Sequence, residues 1–450
     1  MEKRNYDVVV IGGGTTGVCA AVAAARGGAK VAVVDSNGFL GGNACNGMAW
    51  YGFHSLDFTQ VVAGVPYEII QRLREIGGAG EFCPDPVAGS MVRVNSTLLK
   101  LTLIKMCIEN KIDIYLHCML TNVVKCIAYE QDVIIQSKLN SIMMSSRVLI
   151  DCTDSGDAAV AAGAVWHRGR CADGKMQVAS TTLFIRGVDM EEMLDYFDEH
   201  PDQLRPIPVP DEELRRLTKR MREATVFGMG AFPDIIAKAK REGLTDYPRD
   251  RLVGQAFPKI NELLLVASRV EDADPTDIDA YTKAELTALL QTEATVKLLR
   301  DYIPGCKNAY VCGSGHSIGL RETIHVHGDL TLTEGDLLTG KEFSDCIARG
   351  AYHLDVHSPD HQGIETGHPP IYQIPYRALL PKGVEGIIVA GRAASMTQAA
   401  QASTRVIPIA GAIGQAAGTA AAIAFKDGVS PRQVDTAKLR QMLKEGNAIL

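Results

Sequence analysis

The sequence predicts an α/β protein, a doubly wound parallel sheet interrupted by an inserted α+β region, and three observations predict it. The first is a strand, a glycine turn, a helix, a second strand and an acid in immediate succession from Tyr6 to Asp35. The second is a shift, from Asp189 to Glu242, toward charged helix-forming sequence with no nucleotide-site pattern. The third is a return to α/β character near the end, where the apolar run Gly386 to Ala390 precedes the turn Gly391-Arg392 and a small-residue helix from Gly411 to Phe425. At 450 residues, 46% of them hydrophobic, the chain has material for two or three domains with buried cores.

Each element has a local justification. Tyr6 to Ile11 is a short apolar run of β type, Gly12-Gly13-Gly14-Thr15-Thr16-Gly17 is the turn, Val18 to Arg26 is an Ala-rich helix, and Lys30 to Val34 is the next strand. In the dinucleotide-binding βαβ unit that this order matches, Gly12 permits the tight turn and Gly14 lets the backbone approach a pyrophosphate. Gly17 lets the helix lie close to the sheet, and the helix N-terminus offers free N–H groups to the phosphate charge. Asp35 ends the second strand, where a carboxylate accepts hydrogen bonds from ribose hydroxyls. Leu98 to Asn110 reads as a helix and Ile112 to Leu116 as a strand; Val123 to Gln136 and Met143 to Ile150 read as further strands. The last of these runs into Asp151-Cys152-Thr153-Asp154-Ser155-Gly156-Asp157, an acid- and glycine-containing turn of the kind found at the ligand edge of open α/β sheets. Residues 205–210 form a proline-rich break, and Thr276 to Tyr302 is a long amphipathic helix closed by Pro304-Gly305. The expected division is a nucleotide domain over residues 1–165 and 375–450, with a substrate domain over 166–374 between them.

Charge and composition exclude several classes. With 46 basic against 53 acidic residues, a net charge of −7, the chain lacks the basic footprint of a nucleic-acid binder. The start, MEKRNYDVVVIGGG, leaves no room for a secretory signal, so a cytoplasmic protein is expected. Ile407 to Phe425 is apolar but small-sided and interrupted, which reads as a buried helix rather than a membrane span. The 11 cysteines are scattered singly with no C-x-x-C, so neither a disulfide framework nor a thiolate cluster is signalled.

Six blocks in order carry a family resemblance: VVVIGGGTTGVCAAVAAARGGAKVAVVD, GGNACNG, VRVNSTLLKLTLIKMC, DCTDSGDAAVAAGA, GLRETIHVHGDLTLTEGDLLTG, and the C-terminal IPYRALLPKGVEGIIVAGRAASMTQAAQASTRVIPIAGAIGQAAGTAAAIA. Together they resemble the FAD-dependent oxidoreductases of the two-dinucleotide-binding-domain superfamily, in particular a bacterial type with a Gly-Gly stretch after the first acid. The resemblance implies a FAD-binding Rossmann-like domain with FAD extended across it. Gly12, Gly14, Thr15, Thr16 and Gly17 would serve the pyrophosphate turn, Asp35 and Ser36 the adenosine ribose, and Gly41, Gly42, Asn43 and Cys45 the stretch beside the diphosphate and flavin. Thr153, Asp154 and Gly156 would run along the ribityl–pyrophosphate stretch, and Gly391 and Arg392 would close over it. A helix opening near Ile413 and Gly414 would aim its N–H dipoles at the pyrimidine end of the flavin, where reduced flavin carries negative charge. Where family members commonly read R-E-T-R-R, this chain has Arg321-Glu322-Thr323-Ile324-His325, a loss of two arginines.

For the chemistry, His353, Asp355 and His357 alternate as on one face of a strand, with His361 and His368 following. Pro359 blocks the helix that would align these histidines on a metal, so no metal site is expected. They divide between a substrate role and a core or solvated one, and the resemblance favours His357. Histidine moves the proton that accompanies hydride transfer, and arginine orients a carboxylate or stabilises an enolate. Arg321 divides between that role and a structural pair with Glu322, and Arg405 between substrate and scaffold. Cys45 lacks a nearby cysteine partner and reads as a neutral packing residue. Trp50, Tyr51 and His54 divide between pocket wall and core.

Two functions are expected from different classes. One is a soluble FAD enzyme moving a hydride between flavin and a small organic substrate, by dehydrogenation or alkene reduction, at the seam of the two domains. The other is a flavoprotein relay subunit passing electrons to a protein partner. A small-molecule substrate is the expected partner, without nucleic acid or membrane, and a homodimer is left open.

Overall fold

The computed structural model describes residues 1–204, 211–362, 364–365 and 367–450, so the proline-rich break at 205–210 lies outside the described residues. Five parallel strands form the central sheet in the order Ile387–Val389, Val148–Asp151, Val8–Ile11, Val31–Val34, Asp113–Tyr115. The inner strands read VVVI, VAVV and VLID and are buried along their whole length, as expected for a parallel sheet covered on both faces. Alternation separates the faces. Val8, Val10, Val31, Val33 and Ile150 enter one core with the helices Thr15–Arg26, Ser96–Glu109 and Ile407–Asp427. Val9, Ile11, Ala32, Val34 and Leu149 enter a second core, closed by a four-stranded mixed sheet through Val133, Ile135 and Met144.

That covering sheet explains two differences from the sequence reading. The stretch expected as one strand from Val123 to Gln136 is a hairpin of Met119–Ile127 with Glu130–Ser137, because Ala128-Tyr129 turns between them. The stretch from Met143 to Ile150 is two strands in two different sheets. Asn140–Ser146 stays in the covering sheet, exposed Arg147 marks the crossing, and Val148–Asp151 enters the parallel sheet.

A separate antiparallel sheet of five strands, in the order Phe227–Ala231, Leu252–Phe257, Glu262–Val266, Thr182–Arg186, Tyr310–Ser314, builds the middle of the chain. Its core joins Leu263, Leu265 and Ile185 to Met193, Phe197 and Leu298 from flanking helices. The charged stretch from Asp189 to Glu242 therefore contains a strand, Phe227–Ala231, between its helices. The long helix begins at Ile278, capped by the Asp277 carboxylate, which accepts from the Ala280 N–H. Apolar residues from Leu332 to Ile374, placed with the inserted region in the sequence, pack into the core of the parallel sheet.

The C-terminal helix spans Ile407–Asp427 and opens earlier than the expected Gly411. Pro408 sits in its first turn, where a missing N–H costs nothing. A side chain at Gly414 or Gly418 would overlap the carbonyl of Thr16 or Ala20, so the two helices pack backbone on backbone. This is the one helix among the described residues long and apolar enough to cross a membrane, and it is almost wholly buried in the fold.

Candidate active site

A cavity of about 860 Å³ runs from the glycine turn of the parallel sheet to the antiparallel sheet. Its first end is made of backbone. Gly12 has φ +97°, a conformation that favours glycine, and a side chain there would overlap the Cys152 carbonyl. Gly17 lies against the Gly12 carbonyl with no space for a Cβ. Gly14 is different, since a Cβ built on it meets nothing within 4 Å. It precedes the helix Thr15–Arg26, whose first turn has no side-chain cap, and Gly14, Thr15 and Thr16 all line the cavity. An uncapped helix N-terminus behind an open glycine fits a diphosphate, because unsatisfied N–H groups and the helix dipole favour an anion there.

The other residues expected around the cofactor are placed unequally. Gly41 and Asn43 line the cavity beside Gly14, tied by the Gly41 N–H donating to the Gly13 carbonyl at 2.8 Å. Asp154 and Arg392 line it as a pair, with Arg392 Nη2 on Asp154 Oδ2 at 2.7 Å, and Gly391 packs next to Asp154. Asp35 is buried behind the turn. One carboxylate oxygen accepts from the Gly13 N–H at 2.7 Å and the other from the Asn37 N–H and Nδ2 at 2.7 and 2.9 Å. Gly12, Gly17 and Gly42 also stand outside the cavity wall, and Ser36 is exposed. Thr153 turns inward on its own loop, donating to Asp151 and accepting from the Asp157 N–H, while Gly156 packs against Val326. Cys45 is buried behind Gly41, and burial pushes its thiol up to about 12. The helix end at the cavity is formed by Val406, Ile407 and Ala410. Ile413 and Gly414, expected to open that helix, lie farther along it and outside the wall, since the helix begins at Ile407.

The opposite end is made of charged side chains. His353, Asp355 and His357 converge as their alternation predicts, around the single carboxylate of Asp355. His357 Nε2 lies 3.1 Å from Asp355 Oδ1 and His353 Nε2 3.7 Å from it, while Arg405 Nη2 donates to Oδ2 at 2.8 Å and to the Asp355 carbonyl at 3.0 Å. Burial by itself would raise the Asp355 carboxyl, but His357, His353 and Arg405 hold it well below the usual carboxylate range. Burial, reinforced by Arg321, pushes His357 down to about 3 despite the aspartate, so its imidazole is neutral at neutral pH. Its Nε2–H then donates to Asp355, and Nδ1 carries the lone pair.

Arg321 does not pair with Glu322. Its Nη1 donates to the Val178 carbonyl at 2.6 Å and to Ser180 Oγ at 2.9 Å, whereas Glu322 turns the other way, to His325 Nε2 at 2.7 Å and the Gln177 N–H at 2.8 Å. Arg249, which carries no motif, is brought to the same Ser180 hydroxyl at 2.6 Å and is 6% exposed. Of the three aromatic residues after the glycine block, only Tyr51 lines the cavity. Trp50 is fully buried, and His54 bonds Ser90 Oγ at 2.9 Å.

Several solved structures resemble the chain. A geranylgeranyl bacteriochlorophyll reductase-like protein from Thermoplasma acidophilum aligns at a TM-score of 0.47 with 12% identity, over 99% of this chain and 85% of that one. The p-nitrophenol 4-monooxygenase PnpA from Pseudomonas putida DLL-E4 aligns at 0.47 with 11% identity, over 99% and 86%. The flavin-dependent brominase Bmp2 aligns at 0.45 with 12% identity, over 99% and 84%. No curated protein sequence matches the chain. The family model described as FAD dependent oxidoreductase matches residues 7–443, and the chain therefore belongs to the FAD-dependent oxidoreductase family.

Proposed function

We propose that this FAD-dependent oxidoreductase moves a hydride between flavin and a carbon atom of a small organic substrate, by dehydrogenation or alkene reduction, in the cavity between the two sheets. The observation that carries the proposal is a neutral, aspartate-oriented histidine in the same cavity as the open glycine turn. FAD, when bound, supplies the hydride-transfer chemistry. Gly14, Thr15 and Thr16 would hold its diphosphate, with Gly41, Asn43, Asp154 and Arg392 along the same wall.

The chain's own contribution is proton movement and orientation. Asp355 fixes the His357 ring through Nε2–H, leaving the Nδ1 lone pair to take the proton from a substrate hydroxyl as hydride leaves the adjacent carbon. For alkene reduction the same nitrogen, after taking a proton from solvent, would give it to the carbon next to the one that accepts the hydride. Arg405 fixes Asp355 and Arg321 stands beside His357, so both act on the same end of the cavity. The electron-relay reading has no such use for a buried proton acceptor.

The test is the visible spectrum of the purified protein, followed anaerobically while alcohols, sugars, unsaturated acids and NAD(P)H are added in turn. Bleaching of the flavin bands by an organic donor, or their return with an organic acceptor, is the expected result. Flavin that responds to no small molecule would overturn the proposal and direct the search to a protein partner.

A further inference from the structure

Six arginines line the cavity: Arg249, Arg251, Arg269, Arg321, Arg392 and Arg405. Four have a carboxylate partner. Arg251 pairs with Asp250 at 2.9 Å, Arg269 with Glu271 at 3.4 Å, Arg392 with Asp154 at 2.7 Å and Arg405 with Asp355 at 2.8 Å. Arg249 and Arg321 have none within 4.0 Å among the described residues. Their acceptors are all neutral. Arg249 donates to the Ser268 carbonyl from Nε at 3.1 Å and Nη2 at 2.7 Å, Arg321 donates to the Val178 carbonyl, and the two converge on one hydroxyl, Ser180 Oγ.

Two neighbouring cations, Arg249 buried and Arg321 partly buried, with only neutral acceptors are costly to hold, because desolvation and mutual repulsion act together. Burial, with Arg249 and Arg405 nearby, indeed works against the charge on Arg321. Asp355, the carboxylate that acts on Arg321 through space, is already engaged by Arg405 and His357. A missing counter-ion is the arrangement expected of a site completed by an anion. The planar guanidinium fork matches a carboxylate with two parallel hydrogen bonds.

We propose that the substrate carries a carboxylate and that Arg249 and Arg321 hold it at the antiparallel-sheet end of the cavity. This rests on the oxidoreductase reading of the site. The carboxylate anchors one end of the molecule and leaves its reacting carbon beside His357, while the diphosphate of the cofactor has its own donors at the glycine turn.

The experiment titrates the flavin-loaded protein with acid and amide pairs, benzoate against benzamide and succinate against succinamide. Binding is read from the flavin difference spectrum and from calorimetry. An acid is expected to bind at least about 100-fold more tightly than its amide, the scale of a desolvated charge pair. Arg249→Met and Arg321→Met are each expected to remove most of that preference while retaining flavin. Arg249→Lys, which keeps the charge and loses the fork, should fall between. The proposal is overturned if acid and amide bind alike, if no acid binds, or if only inorganic phosphate binds. It is also overturned if the methionine variants bind acids as the parent does, or if they purify without flavin, which would assign these arginines to the cofactor. The acid and amide comparison on the parent protein decides the matter even if a variant fails to fold. If neutral donors bleach the flavin while no acid binds, this proposal falls and the oxidoreductase reading stands. If acids bind through Arg249 while no small molecule changes the flavin redox state, the reverse holds.

Discussion

The two ends of the cavity favour anions by different physics. At the glycine turn the work is done by backbone: an open Gly14, an uncapped helix and no unpaired cationic side chain in the turn itself. At the antiparallel-sheet end it is done by side chains, with Arg405 on an aspartate shared by two histidines, Arg321 beside His357, and Arg249 meeting Arg321 at Ser180. Backbone N–H groups at a helix terminus are satisfied by water when no ligand is present, so the first end is inexpensive to maintain. Buried guanidiniums are not, so the second end trades stability for selectivity. One end suits an anion common to many proteins, and the other suits an anion particular to this one.

The largest expected effect tests the backbone end. Gly14→Val should leave the fold intact, since the side chain enters open space, and the protein should purify without flavin colour. Gly17→Val, three residues away, should fail to give soluble protein, because its side chain has no room against the Gly12 carbonyl. Absorbance at the flavin band together with far-UV circular dichroism separates the two. A Gly14→Val protein that keeps its flavin would break the contrast between a space for ligand and a space filled by chain.

The next effect belongs to the side-chain end. His357→Gln should retain flavin and lower the rate of substrate-dependent flavin reduction by about 10²–10⁴-fold, the range for loss of a positioned proton acceptor. Asp355→Asn should follow in the same direction, because an amide no longer selects the Nε2–H tautomer. Stopped-flow traces give both. Arg405→Met should act on stability as well, since it leaves the Asp355 carboxylate with its histidines alone. Removing one partner of a buried ion pair costs about 3 kcal/mol or more, which a lowered thermal midpoint would report.

The same contrast explains what was legible in the sequence. The glycine turn is contiguous, its function lies in backbone conformation, and residues 12 to 17 with Asp35 give it away. The alternation of His353, Asp355 and His357 likewise survives folding, because neighbours along a chain stay neighbours. Arg249 was not legible. It sits between Pro248 and Asp250 in a charged stretch, and its meaning arises only when folding brings it to the hydroxyl that Arg321 also reaches, which sequence spacing does not encode. Glu322 misled for a related reason, as adjacency to Arg321 suggested a pair while the chain sends the two side chains in opposite directions. The start of the C-terminal helix is legible only in part: the apolar run from Ile407 marks it, the small-residue pattern points to Gly411 or Ile413, and Pro408 is accommodated as a first-turn residue.

The smallest expected effect sharpens the comparison at the level of one proton. His357 is held at about 3 in the folded protein, against roughly 6.5 in an unfolded chain. Between those values the unfolded state binds a proton that the native state refuses, so this histidine's contribution to stability is complete above pH 6.5 and is lost progressively as the pH falls toward 3. Asp151 acts with the opposite sign. Burial pushes its carboxyl up to about 6, so the native state binds a proton that the unfolded state releases, and its contribution declines as the pH rises from about 4 to 6. The two slopes partly cancel in the parent protein. His357→Gln removes one of them, and the change of unfolding free energy with pH between 4.5 and 6 should become more negative by about 1.4 kcal/mol per pH unit. Denaturation at matched ionic strength across that interval measures it. Parallel curves for parent and variant would mean that His357 titrates normally in the fold, and this end of the cavity would then lack the neutral base that burial and Arg321 enforce.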